Sequence, residues 1–291
     1  GVSSAASDVY KRQNIQNLKW DIKDILGMPV RNRYDLMGRK IQANRVTLEW
    51  WDGDTNVGDG LAPVIYEWML EKRGHNPNSK TKTAHLMTVG SLIGAADFDA
   101  TVWGAGIMNA KNIAGLIRRA AYVNLDIRAV RGPITRELLL KTGYQCPEVY
   151  GDPAILMPYI YNPPVEKKYK VSLILHHLSR SKEMEEFHMI DVASFDYKKF
   201  IDEIVASEMV ISSSLHGIIV AETYGVPALF LNNGVWDQSI KYLDWYYSTG
   251  RYNVKMISSV EEIEHVMPMK LPELDFMRRQ IQECFPYDLW V

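Results

Sequence analysis

Cysteine is nearly absent from the chain: 291 residues hold two, Cys146 and Cys284, far apart and with no CxxC or Cys/His spacing around either. That pattern argues against a zinc site, says little about disulfides, and fits a reducing cytoplasm best. No other metal motif appears. Neither sign of charge is in excess, since 33 Lys and Arg face 35 Asp and Glu for a net charge of -2. Such a balance carries no basic field, so no nucleic-acid partner is expected. A membrane-spanning helix needs about 18 consecutive apolar residues, and no run of that length occurs.

What is present is apolar residue in quantity: 47% of the chain, enough for two cores. With roughly 100–200 residues per domain, this length suggests two. Residues 1–13 (GVSSAASDVYKRQ) show no core pattern and end in DVYKRQ, which resembles translated sequencing-adapter DNA, so they are expected to be non-native and outside the fold. Residues 14–44 read as a lead-in with one short amphipathic helix and a loop. Two α/β domains are then expected, 45–160 and 161–291, joined through the Pro-rich, charged stretch 158–169 (PYIYNPPVEKKY).

In the first domain RVTLEWW (45–51) alternates like a strand and runs into NVGDGLAP, where Asn56, Gly58 and Asp59 predict a tight turn. Helical period follows over 61–72, with Pro63 in the first turn where it is tolerated. The unit is neither a GxGxxG fingerprint nor a P-loop. HLMTVGSLIG and ATVWGAGIM are apolar runs closing on Gly90, Ser91, Gly94, Gly104 and Gly106. Glycine at the carboxyl end of parallel strands lets backbone approach a ligand there; the alternative for any single one is an ordinary turn. LDIRAVRGPITRELLLKTG predicts a strand over 125–130, a helix over 133–141, and Arg131 between them, facing the same crevice. Arg grips carboxylate or phosphate with a planar fork, its bland alternative being a salt bridge to a nearby acid.

The second domain opens with YKVSLILHH, whose strand over 170–175 ends in His176 and His177; neighbours in a strand face opposite sides, so at most one of the two reaches the crevice. FHMIDVAS predicts a further strand and 197–207 a helix. An apolar run over 204–211 reads as a strand leading into SSSLHGIIVAETYGVPALFL (212–231): strand, loop, helix, strand. Ser212, Ser213 and Ser214 fall at the helix start, and His216 in its first turn. Unpaired N–H groups and a partial positive charge make such a start an anion site, although capping serines are also common. Glu222 lies nearly two turns further on. The Trp/Tyr-rich segment after Leu231 is expected to pack, and residues 259–285 to form two helices, the last crossing back to the first domain.

Taken in order, NVGDGLAP, VGS, VWGAGI, RGPITRELL, GDPAILMP and SSSLHGIIVAETYGVPAL resemble the polysaccharide pyruvyl transferase family over residues 46–231. The resemblance implies two Rossmann-like domains facing a cleft, as in GT-B glycosyltransferases. It implies transfer of pyruvyl from phosphoenolpyruvate, a co-substrate, onto a sugar of a surface polysaccharide or its lipid-linked precursor, with no cofactor. A cytoplasmic enzyme, peripheral to the membrane that holds such precursors, follows from it. In relatives the donor is held by an Arg matching Arg131 and by an Arg-Leu-His triplet matching Ser214, Leu215 and His216, so this chain replaces one cation by serine. His216, Arg131 and Asp59 are the expected catalytic residues, Asp59 ranking above Glu222 as base. Asn56, Gly58, Gly90, Ser91, Gly104, Gly106, His177, Ser213, Ser214, Leu215 and Glu222 are the expected substrate contacts. Two rivals are a nucleotide-sugar glycosyltransferase, for which Asp237 would be the ribose-binding acid, and a non-catalytic binding scaffold.

Overall fold

The computed structural model describes residues 31–109, 111–175, 187–232 and 239–290. The adapter-like segment, the expected lead-in helix, His176, His177 and Asp237 lie outside these residues. Four parallel strands, β1 (Val46–Glu49), β2 (Ala84–Met87), β3 (Ala100–Trp103) and β4 (Leu125–Ala129), form one sheet in that spatial order. Helix α1 (Val57–Glu71) links β1 to β2, α2 (Asn112–Arg119) links β3 to β4, and α3 (Pro133–Lys141) follows β4. Between β2 and β3 there is only a 3-10 turn, Ile93–Ala95. Asn56, Gly58 and Asp59 do not make a separate turn before the helix. Asn56 is its N-cap, accepting from the Gly58 N–H, and Asp59 sits in the first turn where a carboxylate suits the helix dipole. Pro63 therefore falls inside the helix rather than at its start, where its missing N–H costs a helical hydrogen bond.

Five parallel strands build the second sheet: β5 (Tyr169–Ile174), β6 (His188–Met189), β7 (Ser207–Ser212), β8 (Ala228–Leu231) and β9 (Met256–Ile257), in the order β6-β5-β7-β8-β9. Helices α4 (Tyr197–Val205), α5 (Leu215–Thr223), α6 (Ser239–Ser248) and α7 (Asp275–Glu283) accompany it. The strand expected from residue 204 begins at Ser207 because Ile204 and Val205 complete the buried face that Phe200 and Ile201 start on α4. The order of strand addition reverses at β5, with β6 placed on one side of it and β7 on the other. The carboxyl ends of β5 and β7 are thus a topological switch point, where such sheets bind ligands.

One apolar core runs through both halves. It takes Leu61, Ile65 and Met69 from α1, Ile155 to Met157 from the buried 3-10 stretch Pro153–Tyr159, Ile218 and Ile219 from α5, Trp245 and Tyr246 from α6, and Ile281 from α7. The expected linker starts within this 3-10 stretch, where Pro158 is half-buried and Tyr159 exposed, and 161–168 runs on to β5 without helix or strand. The Trp/Tyr-rich segment packs, with Tyr242, Trp245 and Tyr246 buried on α6. Of the two helices expected near the end, one is the short 3-10 turn Val260–Glu264 and the other is α7. α7 does cross back: the Trp103 indole N–H donates to the Ile281 carbonyl at 2.8 Å, and Gly151 leaves room for Ile281 and Met277. Ile281→Ala should cost about 2–5 kcal/mol by emptying this fully buried position. Urea denaturation checks it, and an unchanged midpoint would mean that α7 is not part of the shared core.

Candidate functional site

At the end of β7 the serines are spent on shaping the turn. Ser212 Oγ donates to the Ile174 carbonyl and accepts from the Ser214 N–H, each at 2.9 Å. The Ser213 carbonyl accepts from the Tyr242 hydroxyl at 2.6 Å. Ser214 is the N-cap of α5, its side chain accepting from Gly217 N–H at 3.4 Å, and Leu215 is buried in the core. These bonds fix the direction of α5 and hold His216, 8% exposed, toward the first sheet.

There His216 meets the start of α1. A Cβ at Gly58 would overlap its ring around Nδ1, so glycine is needed for this approach. On the other side, His216 Nε2 lies 3.6 Å from Oδ2 of the fully buried Asp152. Half-buried Asp59, next to Gly58, completes the group. Burial raises the Asp59 pKa above the usual carboxylate value, with Asp152 and Asp54 adding to the rise and the charges of His216 and Lys241 opposing it. Lys241, in the first turn of α6, is 8% exposed, and burial beside Arg131 brings its pKa down to about 8 while Asp59 pulls the other way. Two carboxylates, an imidazole and an ammonium thus converge where the starts of α1, α5 and α6 meet the switch point.

Arg131 forms the floor. It has no exposure, and each guanidinium nitrogen donates: Nε to Asp244 at 3.2 Å, Nη1 to Ser91 Oγ at 2.8 Å and Nη2 to the Ile107 carbonyl at 2.8 Å. Asp244, on α6 and equally buried, also accepts from Thr135 N at 3.0 Å and Thr135 Oγ1 at 2.7 Å. The bland alternative weighed for Arg131, a salt bridge, is thus present and joins the two halves. Gly106 admits the guanidinium, since a Cβ there would overlap it. Gly90 has a φ of 105° and faces Asp59, where an added Cβ would stand 3.3 Å from Oδ1.

Of the expected residues, His216, Asp59, Gly58, Gly90, Ser91, Gly106 and Arg131 come together. Asn56 and Ser214 hold helix starts, and Ser213 is tied to Tyr242 through its carbonyl. Gly104, φ 86°, packs under Pro153. Glu222 stands apart: Arg251 and the Trp245 indole occupy its carboxylate, at 2.5 to 2.8 Å. Sequence reading missed Asp152, Lys241 and Asp244. Asp152 was visible as the acid closing VYGDP after an apolar stretch, whereas Lys241 and Asp244 sit on a helix that was not foreseen. Among the described residues no group of three or more His, Cys, Asp and Glu is arranged to hold a metal, and no helix is long and apolar enough to cross a membrane.

An uncharacterized protein of Acanthamoeba polyphaga mimivirus is 23% identical over 211 residues, 67% of this chain and 70% of its own length. A structure of an uncharacterized protein from Klebsiella pneumoniae superposes with a TM-score of 0.48 at 16% identity, covering 84% of this chain and 99% of the other. The wall teichoic acid polymerase TagF superposes with a TM-score of 0.40 at 12% identity, over 96% of this chain and 93% of its own. The polysaccharide pyruvyl transferase model matches residues 91–234, the stretch that supplies Ser91, Gly106, Arg131, Asp152 and His216. Residues 91–234 are a polysaccharide pyruvyl transferase domain.

Proposed function

We propose that the chain transfers the pyruvyl group of phosphoenolpyruvate to a sugar of a surface polysaccharide or its precursor, forming a ketal. The observation that carries this reading is the convergence of His216 and the buried Arg131, both within the matched stretch 91–234, with Asp59 and Lys241, which lie outside it. The donor is a small, strongly anionic molecule. It needs cations and helix N-termini in a concave place, and α1, α5 and α6 present theirs here around Lys241 and Arg131. Lys241 supplies the cation that Ser214 does not, from a different helix. Arg131, already committed to Asp244, contributes its charge and holds Ser91 in place.

The reaction begins with a proton moving from His216 to the donor's methylene carbon, whose double-bond electron pair forms the new C–H bond. The adjacent carbon becomes cationic. A sugar hydroxyl oxygen bonds to it and loses its proton to Asp59, whose raised pKa suits a base. Phosphate then leaves with the electron pair of its C–O bond, and a second sugar hydroxyl oxygen bonds to the same carbon while its proton passes to the imidazole of His216, closing the ketal and restoring the acid.

Incubation with phosphoenolpyruvate and a glycan acceptor should release phosphate, whereas nucleotide sugars should give neither turnover nor a thermal shift; the reverse result would favour the glycosyltransferase reading. His216→Gln keeps a polar side chain but cannot carry a proton, and should lower kcat by about 10²–10⁴ with little change in donor affinity. A parallel loss of affinity and no loss of kcat would remove His216 as the acid.

Lys241 also sets a pH dependence. Below about 8 it is charged and attracts the donor, and above that value it becomes neutral, so donor affinity should fall as pH rises through about 8. Calorimetry over that range checks the sign, and Lys241→Met should bind more weakly and lose this part of the dependence.

A further inference from the structure

The second carboxylate beside His216 has no part in the steps above. Asp152 caps the stretch Pro153–Tyr159 with one oxygen, Oδ1 accepting from the Ala154 N–H at 3.0 Å. Its other oxygen, Oδ2, is buried without a hydrogen-bond partner, and so is Nε2 of His216. The two unpaired atoms face each other at 3.6 Å. A buried carboxylate oxygen and a buried ring nitrogen are each costly to leave unpaired. A bridging water would need its two partners roughly 4.5–5.5 Å apart, so the gap is too short for one. Catalytic hydrogen bonds are often long before substrate is bound and tighten in the complex.

We propose that Asp152 is the positioning residue of His216: it accepts the Nε2–H and thereby assigns Nδ1, on the side of Gly58 and Asp59, to proton exchange with substrate. Its consequence for turnover rests on the pyruvyl-transfer reading; the pairing itself does not. The surroundings leave few other groups to set the tautomer. Asp59 faces His216 from α1 and Asp152 faces it from the start of Pro153–Tyr159. From α6, Lys241 acts on Asp59 and Arg131, and Tyr242 donates to the Ser213 carbonyl. When His216 gives up a proton from Nδ1, the imidazole that remains keeps its Nε2–H on Asp152.

Nitrogen-15 spectra of histidine-labelled full-length protein test the pairing, with His216 assigned by its loss in His216→Gln. Neutral His216 should carry its proton on Nε2. Asp152→Asn preserves the cap, because its amide oxygen still accepts from Ala154 N–H, but it turns an NH2 toward Nε2. The proton of the neutral ring should then move to Nδ1. A wild-type Nδ1–H tautomer, or the same tautomer in both proteins, would overturn the proposal. In turnover, Asp152→Asn should lower kcat at least about tenfold with donor KM nearly unchanged. If wild type shows the expected tautomer yet no phosphoenolpyruvate turnover, the functional reading fails and the pairing stands.

Discussion

Arg131 and Asp244 hold each other in complete burial, one at the end of β4 and the other on α6. Everything at the centre depends on this contact. A buried ion pair contributes little net stability because desolvation offsets its attraction, but breaking one partner is costly, so it acts as a register mark between the elements that carry it. Gly132 has no room for a side chain against the Asp244 backbone, Gly106 none against the guanidinium, and Thr135 fills the remaining valences of the carboxylate. Three small or polar residues thus exist at these positions so that one charge pair can close. The pair in turn sets the rotation of α6 and brings Lys241, three positions before Asp244, to the same side.

The parallel α/β character was legible from period and glycine spacing, because strands ending on Gly90, Gly104 and Gly106 leave a strong local signature. Boundaries were less so where two signals overlapped. Ile204 and Val205 suit either a strand or the last turn of a helix, and only packing against Phe200 decides. Asn56 could open a turn or cap a helix, and the cap won because it satisfies a donor that the turn would leave unpaired.

Legibility of the site followed the same division. Arg131 closely follows β4, and Asp59 and His216 stand in the first turns of the helices that follow β1 and β7, so topology alone sends them to the crevice. Lys241 and Asp244 come from a helix whose aromatic residues read as packing, and no local pattern separates a buried lysine there from a solvated one. The pair formed by Asp152 and His216 joins positions 64 residues apart and had no sequence signal at all.

The core shared between the two sheets has a mechanical consequence. In a molecule whose halves meet through a thin polar boundary, substrate can enter by a hinge that swings one half away. Here such a swing would expose the apolar faces of α1, α5 and Pro153–Tyr159 together and pull α7 off the Trp103 indole, an opening opposed by the same force that folds the chain. Ligands therefore reach the crevice without the two sheets parting, and the frame beneath it keeps its charges in place as they come and go.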